Sequence, residues 1–239
     1  MKTDLSEGDV HVWHALLDKF EVGPLLYTAL SADEQAKRDS FLREREWKRF
    51  AVGRALLRVI LGRYLGIAPG KIRLARNCHG KPSLEGLQKV RRVRFNLSHS
   101  NGFALYAVTL DREIGVDLEC IAHIQELEQV ADRFFSERER TLIHSLKGVQ
   151  KDEVFFRIWT RKEALLKAQG QGFSGLTATA GDSMNWASAK SLRGFGPNKN
   201  RLSSLSVEEL DICPGFAAAV AVEGPIDRLV CREWSCGVV

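Results

Sequence analysis

Apolar residues between Ser31 and about Leu65 recur at near-helical spacing, with Leu56, Leu57, Ile60, Leu61, Tyr64 and Leu65 on one stripe, and two helices are expected there. Pro69-Gly70 ends that region, and Ile72–Leu74 has the character of a short strand before a turn built from Asn77, Gly80 and Pro82. β-rich runs follow at Val93–Leu97, Phe103–Leu110 and Ile114–Leu118, separated by Ser-Asn-Gly at 100–102 and Asp-Arg-Glu at 111–113. That layout predicts three antiparallel strands in a meander. Helical spacing returns over Ile124–Leu146 and Asp152–Ala168, the latter closed by Gly170 and Gly172. Residues 181–206, rich in Ser, Asn, Gly and Lys, read as a surface excursion, and strand character resumes at Leu205–Ile212 and Phe216–Val222.

Helices, strands, helices, strands is the order of an α+β fold, and one echo suggests its organisation. Asn101-Gly-Phe-Ala-Leu-Tyr-Ala-Val and Pro214-Gly-Phe-Ala-Ala-Ala-Val-Ala both place Gly-Phe-Ala after a turn residue and before an apolar strand. The expectation is two similar pseudo-symmetric α+β halves, residues 1–112 and 113–239, joined near residues 111–115.

With 44% hydrophobic residues over 239 positions, the chain has enough apolar material for the cores of two modest halves. No apolar run approaches the ~20 residues that span a bilayer, and Asp4, Glu7 and Asp9 stand where a signal peptide needs an apolar stretch. A soluble cytoplasmic protein with no membrane partner is expected. Cys78, Cys120, Cys213, Cys231 and Cys236 are odd in number and form no C-x-x-C pair, which suits a reducing compartment. A net charge of +5 calls for an anionic partner: nucleic acid, a phosphorylated cofactor or an acidic protein. Arg43, Arg45, Lys48, Arg49, Arg54 and Arg58 crowd the 31–65 helices, as a solvated face or a polyanion site. No interleaved aromatic-basic platform accompanies them, which disfavours nucleic acid.

Asp117 and Glu119 sit two apart on a predicted strand, so both carboxylates point to one face, and two like charges held together want a cation. Mg²⁺ suits such a pair because it takes hard oxygen ligands from one or two carboxylates and completes its shell with water and phosphates. Trp159, Glu163 and Lys167 fall at i, i+4 and i+8 of a predicted helix, aligning an aromatic, an acid and a base. Ser98, His99 and Ser100 end a strand beside a turn, where hydroxyls and an imidazole can face a phosphate. A Ser-His nucleophile pair is disfavoured there, because adjacent strand residues point to opposite faces. Lys81, before Pro82, is a lysine fixed by a rigid neighbour.

Taken together, Gly80-Lys-Pro, Phe95-Asn-Leu-Ser-His-Ser, Ile114-Gly-Val-Asp-Leu-Glu, Arg133-Phe-Phe-Ser and Trp159-Thr-Arg-Lys-Glu-Ala-Leu-Leu-Lys resemble the Sfp-type 4′-phosphopantetheinyl transferases, in order and spacing. The resemblance covers roughly residues 31–222 and implies coenzyme A in the cleft between two halves. It implies transfer of 4′-phosphopantetheine to a serine of an apo acyl or peptidyl carrier protein, leaving 3′,5′-ADP. By position, Asp117, Glu119 and Glu163 resemble the Mg²⁺ carboxylates, and Lys167 the lysine on the pyrophosphate. Arg49, Lys81 and His99 resemble the residues that grip the nucleotide and its 3′-phosphate, with Lys37 and Ser98 beside them. Asp117, Glu163 and Lys167 are then the catalytic set, with Glu163 as metal ligand, base or both. The resemblance further implies acidic carrier partners and a monomer. The rival reading is a non-catalytic module that binds coenzyme A or a carrier; three nearby acids argue against it, since a binder of anions gains nothing from them. Glu34, where some relatives carry a basic contact, and Phe50 depart from the family pattern, and residues 1–30 and 181–206 are not explained by it.

Overall fold

The computed structural model describes residues 4–86, 92–170, 192–195 and 202–235. The first segment, unassigned from sequence, opens with strand β1 (Asp9–Leu16), whose alternation sends Val10 and Val12 to one core and Trp13 and Ala15 to another. Helices α1 (Pro24–Ala29), α2 (Ala32–Ala36) and α3 (Glu44–Leu65) follow. Ser31 caps α2 in a reciprocal box with Glu34, and α3 ends at Gly66 in the left-handed conformation (φ 66°). The short strand expected at 72–74 lies at β2 (Leu74–Arg76), paired with β3 (Pro82–Leu84) across the predicted turn.

Strands β4 (Val93–Ser100) and β5 (Phe103–Leu110) form the predicted hairpin, but β6 (Ile114–Cys120) does not extend it as a meander. The free side of β5 is taken by β1, so β6 crosses to a second sheet and pairs with β9 (Phe216–Glu223). The helical stretch at 124–146 resolves into α4 (Leu127–Phe134) and α5 (Glu137–Ser145), broken where Phe135 turns extended and Ser136 caps α5 with Glu139. Next come α6 (Gly148–Gln169), closed by Gly170 (φ 70°), then β7 (Leu192–Phe195), β8 (Leu202–Glu209), β9 and β10 (Arg228–Glu233). Of the 181–206 excursion, residues 192–195 and 202–206 are described, and both are strand; Gly172 lies outside the described residues.

The sheets run β10-β1-β5-β4 and β6-β9-β8-β7 and pack face to face. Their shared core holds Val10, Val12, Leu105 and Ala107 from one side and Val116, Leu118, Val220 and Val222 from the other. Helix α3 covers the outer face of the first sheet, and α6 that of the second. The architecture is α+β. The β1-α3-β4-β5 path is repeated by β6-α6-β8-β9 with the same pairing order, and the Gly-Phe-Ala echo marks equivalent strand starts, with Gly102 (φ 80°) and Gly215 (φ 82°) in the same conformation. One strand breaks the division by sequence: β10, from beyond residue 113, completes the first sheet by pairing parallel to β1.

Candidate active site

Gly115 sets the geometry of the second half. A Cβ placed there would lie 2.0 Å from the Ala164 carbonyl oxygen and 2.4 Å from the Ala168 nitrogen, so only glycine lets the α6 backbone rest directly on β6. Gly115, Asp117 and Glu119 share the β6 face that meets the helix, and Glu163 and Lys167 are the helix residues one turn apart above them. One cleft is lined by Asp117, Glu119, Glu163, Lys167, Trp159, Ser98, His99 and Arg54.

The cleft is organised across three elements. Lys167 Nζ lies 2.6 Å from Asp117 Oδ1 and donates to Ser98 Oγ (3.1 Å) and the Val116 carbonyl (3.3 Å). Ser98 Oγ donates to Asp117 Oδ1 (3.0 Å), and Ser100 Oγ donates to Glu119 Oε2 (2.9 Å) while accepting from the Cys120 N–H. Asn96, buried on the same side of β4, accepts from the Val116 N–H at 2.9 Å and pins the two sheet edges together. Ser98 and Ser100 therefore orient carboxylates, whereas the sequence alone suggested a phosphate-facing role for both. His99, of opposite parity, points away from them, as the strand period requires.

The carboxylates carry more negative charge than the lysine answers. Asp117 Oδ2 and Glu163 Oε1 are buried without a hydrogen-bond partner. Burial first, then the Asp117 and Glu119 charges, push the Glu163 carboxyl up to about 7 against the pull of Lys167. Burial and Asp117 likewise raise Glu119. Hard oxygen donors, two of them orphaned, in a cluster that resists full ionisation are a donor set that fits a divalent cation. As the side chains stand, no group of three His, Cys, Asp or Glu among the described residues closes around one point, and Lys167 lies against Asp117 instead.

A second cavity of about 560 Å³ adjoins through Arg54, Leu97 and His99, which line both. Lys37, Arg49, Arg54, Arg76 and His99 give it cationic or imidazole walls, and Phe41, Phe50 and Tyr106 aromatic ones. Arg54 and Arg76 were not singled out from sequence as ligand contacts. Burial and the Arg76 charge press against the Arg54 cation, and its acid Glu34 stands 4.0 Å away, nearer to Arg58 at 2.8 Å. Glu34, the departure from the family pattern, is thus spent on Arg58 and on the α2 cap. Desolvation of the ring within the groove, then the Lys167 and Arg54 charges, holds the His99 imidazole below its usual range.

The structure gathers the sequence-predicted residues along one continuous groove. Lys37, Arg49 and His99 line the basic cavity, while Ser98, His99, Lys167 and the three carboxylates line the cleft. Lys81 lines a further pocket with Glu163 and Lys167, but its Nζ is engaged by Glu113 (3.0 Å) and the Ala168 carbonyl (3.3 Å), tying the β2–β3 hairpin to the second half.

Comparison with known proteins sets this geometry in a family. A profile described as 4′-phosphopantetheinyl transferase, N-terminal, matches residues 12–110, and that of the 4′-phosphopantetheinyl transferase superfamily matches residues 113–221. The 4′-phosphopantetheinyl transferase HetI of Nostoc sp. is 39% identical over 220 residues, 89% of this chain and 93% of that protein. The 4′-phosphopantetheinyl transferase ffp of Bacillus subtilis is 29% identical over 149 residues, 62% of this chain and 64% of that protein. A holo-(acyl-carrier-protein) synthase structure from Bacillus anthracis, in complex with CoA (3′,5′-ADP), aligns over 47% of this chain and 96% of its own, with 21% identity and a TM-score of 0.33. With HetI matched along nearly its whole length and the two profiles tiling both halves, this chain belongs to the 4′-phosphopantetheinyl transferase family.

Proposed function

We propose that the protein transfers 4′-phosphopantetheine from coenzyme A to a serine of an apo acyl or peptidyl carrier protein, giving holo-carrier and 3′,5′-ADP. The observation that carries the reading is the cleft in which Asp117, Glu119 and Glu163 stand with Lys167 beside a cavity walled by Lys37, Arg49, Arg54 and His99. Asp117, Glu119 and Glu163 would hold Mg²⁺, whose chemistry when bound is to neutralise the pyrophosphate and the oxygens on which charge grows. Lys167 adds a second cation at that place. The basic cavity takes the nucleotide and its 3′-phosphate.

The carrier serine oxygen attacks the phosphorus next to pantetheine, the bond to the 3′,5′-ADP oxygen breaks, and the serine proton passes to a base. Glu163 is the residue placed for that role, since it lines the cleft beside Asp117 and Lys167 where the reacting oxygens would lie. The reading extends to a carrier with an acidic face, drawn by the +5 charge, and to a monomer acting in the cytoplasm. Among the described residues no helix is long and apolar enough to cross a membrane.

Intact-mass analysis of apo carriers incubated with the protein, coenzyme A and Mg²⁺, with an EDTA control, tests the proposal. A gain of one phosphopantetheine that EDTA abolishes is expected. Coenzyme A binding with no gain on any carrier would replace the transferase with a binding module.

A further inference from the structure

Asp18 lies outside every motif that carries the family resemblance, in the single 3-10 turn (Leu17–Lys19) that follows β1. Both of its oxygens are taken by Arg49: Oδ1 accepts from Nε at 2.8 Å and Oδ2 from Nη2 at 2.7 Å. Oδ2 also accepts from Arg45 Nη2 at 2.7 Å. The two arginines hold the Asp18 carboxyl far below the usual carboxylate range, so the pair stays charged.

The other boundary on Arg49 is Gly102. A Cβ at this left-handed turn residue would come within 2.5 Å of Arg49 Nη2 and 2.7 Å of its Cζ, so the guanidinium lies against bare backbone. The Leu17 N–H donates to the Gly102 carbonyl at 2.7 Å and locks the Asp18 turn to the same place. A long side chain that would otherwise lose rotamer entropy on binding is thereby set in advance.

A guanidinium has five N–H donors in a planar fork. The side-on pair with Asp18 uses Nε and one hydrogen of Nη2, which leaves Nη1 and the other Nη2 hydrogen for a ligand. Arg49 lines the basic cavity with Lys37, Arg54, Arg76 and His99.

We infer that Asp18 is a positioning residue: it holds Arg49 against the Gly102 turn so that the remaining side of its fork recognises the 3′-phosphate of the donor. The inference rests on the coenzyme A reading above. The same contact read as competition, with Asp18 withholding Arg49 from the phosphate, gives the opposite sign in the test.

The test compares coenzyme A with 3′-dephospho-coenzyme A as donors for Asp18→Asn. The KM for coenzyme A is expected to rise about tenfold, with kcat within about twofold and the KM for the dephospho donor moved by less than about twofold. In an Arg49→Ala background, Asp18→Asn is expected to add nothing, which a merely structural aspartate would not satisfy. A lower KM for coenzyme A, equal losses on both donors, or additivity with Arg49→Ala would each overturn the inference. Calorimetric titration of 3′,5′-ADP against 5′-AMP reads the same preference without a carrier. If the wild-type protein modifies no carrier, the transferase reading fails, while the titration still decides the role of Asp18: a 3′-phosphate preference lost in Asp18→Asn upholds it, and an unchanged preference sinks it.

Discussion

The two halves share one path of elements, yet among the described residues the acids that line the cleft all come from the second. The offset that relates the helix-ending Gly66 to Gly170 carries Trp13, Ala15 and Val59 of the first half onto Asp117, Glu119 and Glu163 of the second. It also carries His11 onto Gly115. Where Gly115 lets α6 rest on β6, the buried His11 stands between β1 and α3, its Nδ1 2.9 Å from the Tyr64 hydroxyl, which also accepts from Trp13 Nε1 at 2.8 Å. Trp13 packs on Trp234 from beyond β10, and Arg63, the counterpart of Lys167, stacks over Trp234 at 4.1 Å. One copy of the fold has filled its pocket with aromatic side chains; the other has lined it with acids and paired them with hydroxyls from β4.

The largest consequence separates chemistry from packing at equivalent positions. Asp117→Ala is expected to reduce transfer at least ~10³-fold, since the site loses both a metal oxygen and the partner of Lys167. Its melting temperature is expected to hold or rise, because one of three crowded carboxylates is gone. Trp13→Ala at the matching position is expected to cost about 3–5 kcal/mol of stability, with kcat unchanged in the folded fraction. Kinetics and melting on both variants check the contrast, and a Trp13→Ala protein that melts normally but transfers slowly would break it.

A second matched pair is a buried ion pair in each half. Ser31 and Glu34 cap α2 as Ser136 and Glu139 cap α5, and each glutamate reaches a cation on the long helix of its own half. Glu34 meets Arg58 at 2.8 Å and Glu139 meets Lys162 at 2.9 Å. Arg58 has the Ile72 carbonyl as a further acceptor, whereas Lys162 otherwise has the Phe135 ring at 5.5 Å. Glutamine preserves either cap while deleting the charge. Glu139→Gln is expected to cost about 3–5 kcal/mol by leaving a buried ammonium uncompensated, and Glu34→Gln about half as much, read by denaturant unfolding.

This pairing bears on what could be read from sequence. The reactive half was legible because strand and helix periods of two and four fix which side chains converge, and Asp117, Glu119, Glu163 and Lys167 obey both. The first half was harder. β1 alternates but carries Asp9 and His11 on its buried faces, and β10 is a short strand of mixed polarity whose partner is some two hundred residues away, a separation no local period encodes. Asp18 was passed over, and Arg54 stayed one member of a basic run, for a related reason: an arginine on a basic helix reads as solvated until the carboxylate and cavity beside it are known. The meander failed because alternation specifies a strand's faces and leaves its neighbours open.

The halves also differ in how they answer pH. Glu163 is raised to about 7 in the folded protein, so the native state binds its proton more tightly than the unfolded chain, and stability falls as pH rises from the ordinary carboxylate range through 7. His11, lowered to about 4 chiefly by burial, does the reverse: its contribution is present above the ordinary imidazole range and is lost as pH falls toward 4. In EDTA, Glu163→Gln is expected to melt higher than wild type by on the order of 5 °C at pH 8, with the gap closing at pH 5. The difference between His11→Leu and wild type is expected to shift the opposite way, in favour of the variant as pH falls. Parallel pH trends for the two variants would show that the site charge is relieved some other way.

The smallest effect concerns the hydroxyls that the first half never needed. Ser100 Oγ donates to Glu119 Oε2 and accepts from the Cys120 N–H, so it both aims the carboxylate and closes a backbone donor at the end of β6. Ser98 shares Asp117 with Lys167, whose ammonium would hold that carboxylate even without the hydroxyl. Ser100→Ala is therefore expected to lower kcat by about three- to tenfold, a part of the worth of one hydrogen bond to a charged acceptor, and Ser98→Ala by less. The Mg²⁺ dependence of the rate distinguishes aim from affinity: if Ser100 orients the Glu119 carboxylate, the half-saturating Mg²⁺ concentration rises in Ser100→Ala and stays near wild type in Ser98→Ala. Equal shifts in both would mean that the hydroxyls serve only to join the two sheet edges, a task that Asn96 already performs from the neighbouring position on β4.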